Sequence, residues 1–335
     1  MKPTITVFTP AYKNESTLAG CVSSILSQTI QPCEIVTVAD GDAPSWEQAE
    51  RLGVTVLGDR MGPNRGLAYS CNIALSHCKS EFFVKVDSDV ELMPDWLERC
   101  VDHFRGAHQI VGVGGRLIET YCSTIADQWR IYFLPQHYGP HTQSDVLLFG
   151  ADCVFRTEAL RAVDGWDGRY RTNYEDMDIS KRLLAAGGCT FYDSEAIAHH
   201  YHPNTLDSVL TAFWRYSQPV AEDAGSYASA EAAIPLIATN RWAAAERIAL
   251  CIKSNLYHLL YPSHQLFSHL CSKDVAYLES KGIDPAPYVA AVDKSPFVPN
   301  VSPALLETSR MIYENEHHSR LDDGRRAEVA CGTSC

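Results

Sequence analysis

The first hundred residues alternate short β-prone runs with amphipathic helical runs, and this alternation constrains the fold most. The runs rich in β-branched and aromatic residues are TITVF (4–8), EIVTVA (34–39), VTVL (54–57) and FFVKV (82–86). Between them, apolar residues such as Leu18, Val22 and Ile25 recur at helical spacing, and a further helix is predicted at 67–76. Strands separated by helices pair in parallel through right-handed crossovers. The pattern therefore predicts an α/β fold with a mostly parallel central sheet and flanking helices.

Composition narrows the class of protein. The 335 residues are 46% apolar and 21% charged, and no uninterrupted apolar stretch approaches the length of a membrane span. The N-terminus has no charged and apolar leader pattern, and the twelve cysteines include no Cys-x-x-Cys pair, so we expect reduced, buried thiols in a cytoplasmic protein. The net charge of -13 argues against a nucleic-acid partner. It also disfavours purely electrostatic docking on an anionic membrane.

Polar segments directly follow three of the predicted strands. They are TPAYKNE after the first strand, DGD at 40–42 and DSD at 87–89. In open α/β sheets, ligands bind at the carboxyl ends of the parallel strands. We therefore expect the Thr9 hydroxyl and the Asp40 carboxylate to lie on one rim with the acids of DSD. Because Asp and Gly favour tight turns, a plain turn at 40–42 is the alternative.

Asp87 and Asp89 follow an apolar run that is typical of a buried strand. Their carboxylates are separated by a single residue. Two such groups repel each other in a dry interior, so a cation, water or backbone donors must accompany them. Residues i and i+2 of an extended segment point the same way. The two acids could share a Mg²⁺ or Mn²⁺ ion, or one could bind the ion while the other holds a ribose hydroxyl. A solvated loop is the alternative.

A second pair of acids opens a predicted helix. The sequence EDMDISKRLLAAGG at 175–188 has an amphipathic pattern, with Glu175 and Asp176 in the first turn and a Gly pair as a stop. Free N–H groups at a helix N-terminus stabilise anions. These acids therefore either cap the helix or supply a general base.

Histidines close the next segment. The sequence CTFYDSEAIAHHYH at 189–202 predicts a pair of strands that ends in His199, His200 and His202. Neutral imidazole is a common ligand of borderline cations, so His200 is our candidate to complete a metal site begun by Asp89. His202 is expected on the same side. Polar rings at an exposed strand end are the alternative.

Seven segments in order resemble the inverting glycosyltransferases of family 2, which have the Rossmann-like GT-A fold. They are TVFTPAYKNE, VTVADGD, GLAYSCNIAL, VKVDSD, FGADCVFRTEALRAVDGWD, YEDMDISKRLLAAGG and AIAHHYH. The resemblance covers roughly residues 3–205. The resemblance implies transfer of a sugar from a nucleotide diphosphate donor to an acceptor hydroxyl of a glycan or glycoconjugate, with inversion at the anomeric carbon. The implied cofactor is Mn²⁺ or Mg²⁺.

On the donor side, the resemblance assigns roles by position. The nucleoside pocket would be lined by Thr9, Pro10, Tyr12 and Asp40. Asp40 would hold the base, and because a carboxylate accepts from the N3–H of uracil or thymine, a UDP or dTDP sugar is the preferred donor. Asp87 and Asp89 would take the ribose and metal-diphosphate roles, and His200 would be a further metal or phosphate contact.

At the reacting centre, Asp176 would deprotonate the acceptor hydroxyl, with Glu175 as the alternative base. Arg65 would help the cation to neutralise the departing diphosphate. In a single inverting displacement the base and the leaving group lie on opposite faces of the sugar. Gly150 and Ala151 resemble the small residues that let the sugar approach the backbone.

Trp166 and His202 are our candidate acceptor contacts, with a buried core tryptophan as the alternative for Trp166. Two segments depart from the family pattern. ADGDAP stands where the family often has two acids followed by Gly-Ser, and YSCNIA stands where it often has Ala-Arg-Asn. Both departures concern recognition of the base and the diphosphate, and neither removes a catalytic group.

Beyond Pro203, apolar residues recur at helical spacing without strand alternation. We therefore predict four regions: a catalytic domain at 1–204, divided into a nucleotide-binding half (1–100) and an acceptor and catalytic half (101–204), then a helical extension at 205–312 and a flexible tail at 313–335.

One strong apolar stripe runs along the helical extension, at Ile248, Ile252, Leu256, Leu259 and Leu260. Such a stripe indicates a core or a homodimer contact. A peripheral face at the inner side of the membrane is the alternative, should the acceptor be lipid-linked.

Two other functions compete with transfer. A sugar nucleotidyltransferase also places acids on an α/β sheet, but it usually needs a basic Gly-rich loop near the N-terminus, which TPAYKNE is not. A nucleotide-sugar-binding scaffold without turnover would have no use for the complete set of acids and histidine.

Overall fold

The computed structural model describes residues 3–171, 173–223, 230–280, 282–293 and 301–316. By its contacts the chain divides into two compact units. One comprises Met1–Thr120 and Pro135–His202, and the other Tyr121–Leu134 and Pro203–Cys335. The tail predicted at 313–335 lies outside the described residues from 317 onward, and 313–316 end a helical stretch.

The first unit contains a nine-stranded sheet with helices on both faces. Its strands are β1 Ile5–Ala11, β2 Glu34–Asp40, β3 Thr55–Asp59, β4 Phe82–Val86, β5 Val90–Leu92, β6 Ile110–Glu119, β7 Gln143–Ser144, β8 Asp152–Arg156 and β9 Cys189–His200. Its helices are α1 Glu15–Leu26, α2 Ala43–Arg51, α3 Leu67–His77, α4 Trp96–Asp102, α6 Thr157–Ala162 and α7 Glu175–Ala185, while α5 Ile125–Phe133 belongs to the second unit.

The strand order is β3-β2-β1-β4-β8-β6-β9-β5, with β7 paired to β9. The parallel pairing predicted for the first half is confirmed for β3, β2, β1 and β4. In the second half, β8 runs antiparallel to both β4 and β6, whereas β6 and β9 are parallel. The sheet is therefore mixed, with its parallel half built from the segments that alternate with helices.

Apolar side chains cover both faces of the sheet. In β1, Val7 packs in one cluster with Leu18 and Ile25 of α1, whereas Phe8 packs in another with Cys71 of α3. Strands buried on both faces are near-continuous apolar runs rather than alternating ones. This is why TITVF and FFVKV show no polar face, and it makes Lys85, the one charge in β4, an exception.

The strand pair predicted at 189–202 is wrong: the segment forms the single strand β9. The polar residues Asp193, Ser194 and Glu195 suggest a turn, but β9 continues through them, with a register shift against β6 between Gly114 and Arg116. An irregularity of this kind inserts residues without ending a strand. As a result, β9 extends to His200.

The second unit is helical, as predicted for the region beyond Pro203. It contains α5, α8 Leu206–Asp223, α9 Ala230–Lys253, α10 Tyr257–Ser280 and α11 Ala286–Asp293, together with a helical stretch at 303–316. Of the predicted apolar stripe, Ile248, Leu259 and Leu260 are buried in the core of this unit, and Ile252 and Leu256 pack against them. The stripe is thus core, and a homodimer contact stays a prediction.

Within the described part of the chain, no helix has both the length and the apolarity that a membrane span requires.

Candidate active site

The ends of β1, β2 and β4 meet, as the positions of the three polar segments predict. The backbone N–H of Lys13, after β1, donates to Asp42 Oδ2 at 2.8 Å, just beyond β2. Asn14 Nδ2 donates to the Ser88 hydroxyl at 2.9 Å, between the two acids of DSD. TPAYKNE, DGD and DSD are therefore joined at one rim.

Asp40 fixes the loop before α3. Its buried carboxylate accepts from the backbone N–H groups of Arg65, at 2.5 Å, and Gly66, at 2.8 Å. Gly66 has a φ of 103°, which favours glycine. The Arg65 guanidinium lies 3.9 Å from the Tyr69 ring centroid, with Nε 3.4 Å from Asp40 Oδ1. The site predicted to hold the base is thus built around Asp40, with Arg65 positioned beside it.

The same loop is attached to the segment before α7. Leu67 N donates to the carbonyl of Arg171 at 2.5 Å, and the Arg171 guanidinium donates to the carbonyl of Asn64 at 2.6 Å. A Cβ added at Gly66 would lie 2.4 Å from the Arg171 carbonyl oxygen. The loop and residue 171 therefore form one hydrogen-bonded assembly.

The other predicted donor contacts differ in exposure. Thr9 is fully buried, and its hydroxyl lies 3.8 Å from the Cys21 sulfur, facing α1. Pro10 is half-buried and Tyr12 is exposed. The prediction that the Thr9 hydroxyl lies on the open rim is therefore wrong, because this side chain is turned into the core against α1. Pro10 and Tyr12 do offer side-chain surface at the rim.

Asp89, His200 and His202 form a cluster with the character of a metal site. Their ligand atoms all lie within 4.8 Å of one another. Asp89 Oδ2 is 3.5 Å from His200 Nε2 and 3.4 Å from His202 Nδ1, and the two imidazole rings stack at 5.4 Å. The structure therefore brings together the predicted pair Asp89 and His200. It places His202 beside them, on the same side as His200 as predicted, and a contact between His202 and the acceptor stays a prediction.

Glu119 supports this cluster, and sequence reasoning missed it. Its carboxylate accepts from His200 Nδ1 at 2.9 Å, because β6 pairs in parallel with β9 and sets Glu119 opposite His200. Burial disfavours a charged His200, but hydrogen bonds to Asp89 and Glu119 outweigh it and raise the pKa of His200 to about 9. Burial likewise opposes ionisation of Asp89, yet the two histidines hold the pKa of Asp89 below its usual range.

Lys85 is the second residue that sequence reasoning missed. It is 2% exposed, and its ammonium donates to Asp87 Oδ1 at 2.6 Å and to the carbonyl of Gly150. Burial alone would lower the pKa of Lys85, but interactions with its neighbours, the charge of Asp87 first among them, outweigh burial and raise the pKa above its usual value. A buried cation therefore stands behind Asp87.

Asp176 and Glu175 occupy the first turn of α7, as predicted. Asp176 accepts from the backbone N–H of Gly150 at 3.0 Å and from that of Met177 at 2.7 Å. Asn173 and Tyr174 both have positive φ, of 68° and 73°, and so turn the chain sharply into the helix. Asp176 is thus fixed against Gly150 by backbone donors.

The two acids of α7 differ in their proton affinity. Burial, together with the charge of Asp176, raises the pKa of Glu175 to about 8. Burial also raises the pKa of Asp176, but hydrogen bonds from Gly150 and Met177 counter it. Near neutral pH, Glu175 therefore holds a proton, whereas the two backbone hydrogen bonds to Asp176 favour the ionised form of that acid. This is the arrangement that a general base at Asp176 requires.

Gly150 and Ala151, predicted to let a sugar approach, lie between the acids. Asp87 N donates to the carbonyl of Ala151 at 2.8 Å. A Cβ added at Gly150 would be 2.9 Å from the Cβ of Asp176. Position 150 must therefore be glycine for Asp176 to pack where it does.

Trp166 is not an acceptor surface. It is 3% exposed, and its ring packs in the core against Phe83 at 5.7 Å and Phe155 at 6.0 Å. The prediction of a stacking platform is wrong, and the alternative of a core tryptophan is correct, because Trp166 closes the apolar layer beside β4 and β8.

Asp152, at the start of β8, is a third residue that sequence reasoning missed. Trp96 Nε1 donates to its Oδ2 at 3.2 Å, while its Oδ1 is buried and has no hydrogen-bond partner among the described residues. Burial raises the pKa of Asp152 well above its usual value. Burial therefore favours the neutral form of Asp152.

The alternating β/α half, the mixed half that returns through β9, and the acids and histidines at the strand ends define a glycosyltransferase of the GT-A fold. Residues 6–163 match the model of glycosyl transferase family 2. The matched stretch is just under half of the chain and includes the first four of the seven segments.

One similar protein is the glucosyl-dolichyl phosphate glucuronosyltransferase of Haloferax volcanii. It is 24% identical over 244 residues, which cover 66% of this chain and 78% of that protein.

Two solved structures share the fold along nearly the whole chain. The mannosyltransferase PcManGT from Pyrobaculum calidifontis, in complex with GDP-Man and Mn²⁺, has a TM-score of 0.53 at 16% identity, over 96% of this chain and 88% of that one. Residues 1–349 of S. aureus TarS have a TM-score of 0.51 at 14% identity, over 97% and 92%.

Proposed function

We propose that this glycosyltransferase is metal-dependent and inverting, and that it moves a sugar from a UDP or dTDP donor to a hydroxyl of a glycan or glycoconjugate. The observation that carries the proposal is the pair of sites joined by Gly150 and Ala151. Asp87, two residues before Asp89, donates its backbone N–H to the carbonyl of Ala151. The carboxylate of Asp176 accepts from the backbone N–H of Gly150. A donor-binding acid and a candidate base therefore flank the same two small residues.

The cluster of Asp89, His200 and His202 fits a divalent cation. One carboxylate and two imidazoles suit Mn²⁺ better than Mg²⁺, which prefers oxygen ligands and near-ideal octahedral geometry. Glu119 accepts from Nδ1 of His200 and so leaves Nε2 directed at Asp89. A carboxylate behind a histidine ligand fixes the ring and raises its basicity. When bound, the cation would neutralise the diphosphate as it leaves.

The donor nucleoside would lie at the rim beside Tyr12 and Pro10. Asp40 already uses Oδ2 for Arg65 and Gly66, so Oδ1, on which Arg65 Nε has only a long contact, is the atom that remains for N3–H of a pyrimidine. The Arg65 guanidinium is 40% exposed and carries a positive charge at the same rim. It would contribute to diphosphate binding.

Asp176 would take the proton of the attacking hydroxyl. It is held by two backbone N–H donors that favour its ionised form, whereas burial and the charge of Asp176 raise the pKa of its neighbour Glu175 to about 8. An inverting displacement needs one such base, positioned opposite the leaving group. The name of the Haloferax relative includes a dolichyl phosphate sugar. We accordingly include lipid-linked glycans among the acceptors to be tried.

The test is release of nucleoside diphosphate from a panel of nucleotide sugars, with Mn²⁺, Mg²⁺ or EDTA, with and without acceptor hydroxyls. We expect release with a uridine or thymidine donor, faster with Mn²⁺, and lost in EDTA. Asp89→Ala should weaken metal-dependent donor binding in calorimetry. Donor binding without release from any member would instead favour a scaffold, and release of pyrophosphate from a nucleoside triphosphate and a sugar phosphate would favour a nucleotidyltransferase.

A further inference from the structure

We infer that Lys85 is a positioning residue for the transfer. Its buried ammonium ties the donor-side acid Asp87 to the Gly150 backbone that holds Asp176, and it places a positive charge at the small cavity that Asp176 lines. This inference rests on the proposed role of Asp176 as the base.

The contacts form a continuous path. Lys85 Nζ donates to Asp87 Oδ1 at 2.6 Å and to the carbonyl oxygen of Gly150. The N–H of the same Gly150 donates to Asp176 Oδ2 at 3.0 Å. Asp87 N, in turn, donates to the carbonyl of Ala151 at 2.8 Å. A shift of Lys85 would therefore be transmitted to both acids through one short backbone segment.

The position of Lys85 in β4 explains why it faces the site. Lys85 and Asp87 lie two residues apart, so both point to the side of the sheet that carries Phe83 and Trp166. On that side, Lys85 lines a small cavity together with Gly150, Glu175 and Asp176. The ammonium therefore faces three acids, Asp87, Glu175 and Asp176, from inside the protein.

The charge balance indicates what the lysine does. A buried ammonium costs several kcal/mol to desolvate unless it is compensated, so it would be a poor choice for packing alone. Asp87 compensates it directly, and Glu175, with a pKa of about 8, holds a proton near neutral pH. The charge of Lys85 also counters the burial that raises the pKa of Asp176. An opposite charge within about 4–6 Å favours the charged form of an acid and lowers its pKa by about 1–3.

Several titratable groups face Asp176 and Lys85 from the neighbouring elements. They are Asp87 after β4, Glu175 in α7, Cys153 in β8, Tyr138 in the segment before β7, and Cys71 in α3. The thiols of Cys71 and Cys153 have pKa values raised by burial, and the pKa of the Tyr138 phenol is raised for the same reason. Lys85 therefore supplies the positive charge in this group, and the other members are acids, thiols and a phenol.

The test is a carboxyl titration of Asp176 in protein labelled with ¹³C at the aspartate side chains, its signal assigned by its loss in Asp176→Asn. Removal of the ammonium in Lys85→Gln should raise the titration midpoint of Asp176 by at least about one pH unit. Lys85→Met, which has nearly the same shape, should do the same. Lys85→Arg keeps the charge and should return the midpoint toward the parent value. Lys79→Gln removes an exposed lysine in the turn before β4 and should leave the midpoint unchanged.

A second readout is the acid limb of the kcat profile, which should move to higher pH with the titration midpoint. A purely structural role would lower the amount of active enzyme without moving that limb. An unchanged midpoint in folded Lys85→Gln or Lys85→Met overturns the inference, as does loss of the fold in both, which would make Lys85 only a structural ion-pair partner. If the midpoint moves as expected but no donor is turned over, the proposed function fails and the link between Lys85 and Asp176 stands.

Discussion

His200 donates from Nδ1 to the carboxylate of Glu119 at 2.9 Å, and this bond leaves His200 Nε2 facing Asp89. The two residues are 81 positions apart in sequence but directly opposite in the β6 and β9 ladder. The orientation of a candidate metal ligand is therefore set by strand register.

Replacing Glu119 with glutamine should weaken Mn²⁺ binding by about 10–100-fold, because a neutral amide no longer raises the basicity of His200 or fixes its ring. Titration of free Mn²⁺ by electron paramagnetic resonance measures this affinity without any turnover. Glu195→Gln changes an exposed acid on the same strand and is the matched control. Equal affinities in the two variants would contradict a supporting role for Glu119.

The two acids of α7 should respond differently to loss of charge. Asp176→Asn should lower kcat by roughly 10²–10⁴-fold, because it removes the base, while the Kd for the donor stays close to that of the parent. Glu175→Gln should retain most activity, since Glu175 is already neutral near pH 7 and an amide has a similar shape. Steady-state kinetics and donor calorimetry separate the two effects. Normal transfer by Asp176→Asn would rule out this base.

Gly150→Ala should lower kcat markedly and have only a small effect on the free energy of unfolding. The new Cβ would lie 2.9 Å from the Cβ of Asp176, so the base must shift away from its Gly150 hydrogen bond. Gly168→Ala is the control, because no atom lies within 4 Å of a Cβ added there. We expect kcat to fall at least about tenfold in Gly150→Ala and to stay level in Gly168→Ala. A fall in both, or in neither, would contradict the close packing of Asp176 on Gly150.

Asp152→Asn should stabilise the protein, increasingly as the pH rises. Burial raises the pKa of Asp152, so above the usual aspartate pKa the unfolded chain releases a proton that the folded chain keeps. In that range, Asp152 lowers the free energy of unfolding of the parent by about 1.4 kcal/mol for each pH unit. Asparagine does not titrate, so the variant does not lose this stability.

Urea unfolding at several pH values between 4 and 7 would measure this gap in the free energy of unfolding. The exposed Asp102→Asn serves as the control, and its gap should not vary with pH in this way. A gap for Asp152→Asn that is constant over this range would show that Asp152 ionises normally in the folded protein.

The sequence predicted the residues that sit at strand ends but not those that support them. Local sequence pattern is enough to find Asp87, Asp89, Asp176 and His200. Each lies at the end of a strand or in the first turn of a helix, and the pattern predicts those positions. Glu119 could not, since its role depends on the register of two distant strands. Its only local signal is an acid that closes the strand-like run IVGVGGRLI at 110–118.

The sequence does contain a local indication that Lys85 and Asp152 are special. Each is a single charged residue inside an otherwise apolar strand run, FFVKV or ADCVF, and such a group is buried only with a partner or a shifted pKa. The single strand β9 was predicted as a pair for a different physical reason. Its polar centre resembles a turn, and only pairing with β6 shows that the chain continues through it.

The hydrogen bonds of Leu67 and of the Arg171 guanidinium make residues 62–67 and 171 a single unit for protein engineering. A graft of the loop before α3 from a relative, intended to change the nucleoside accepted, would remove the partner of the segment that leads into Asp176. Donor preference and the placement of the base would then change together. Exchanges of specificity in this protein should therefore carry both segments from the same parent.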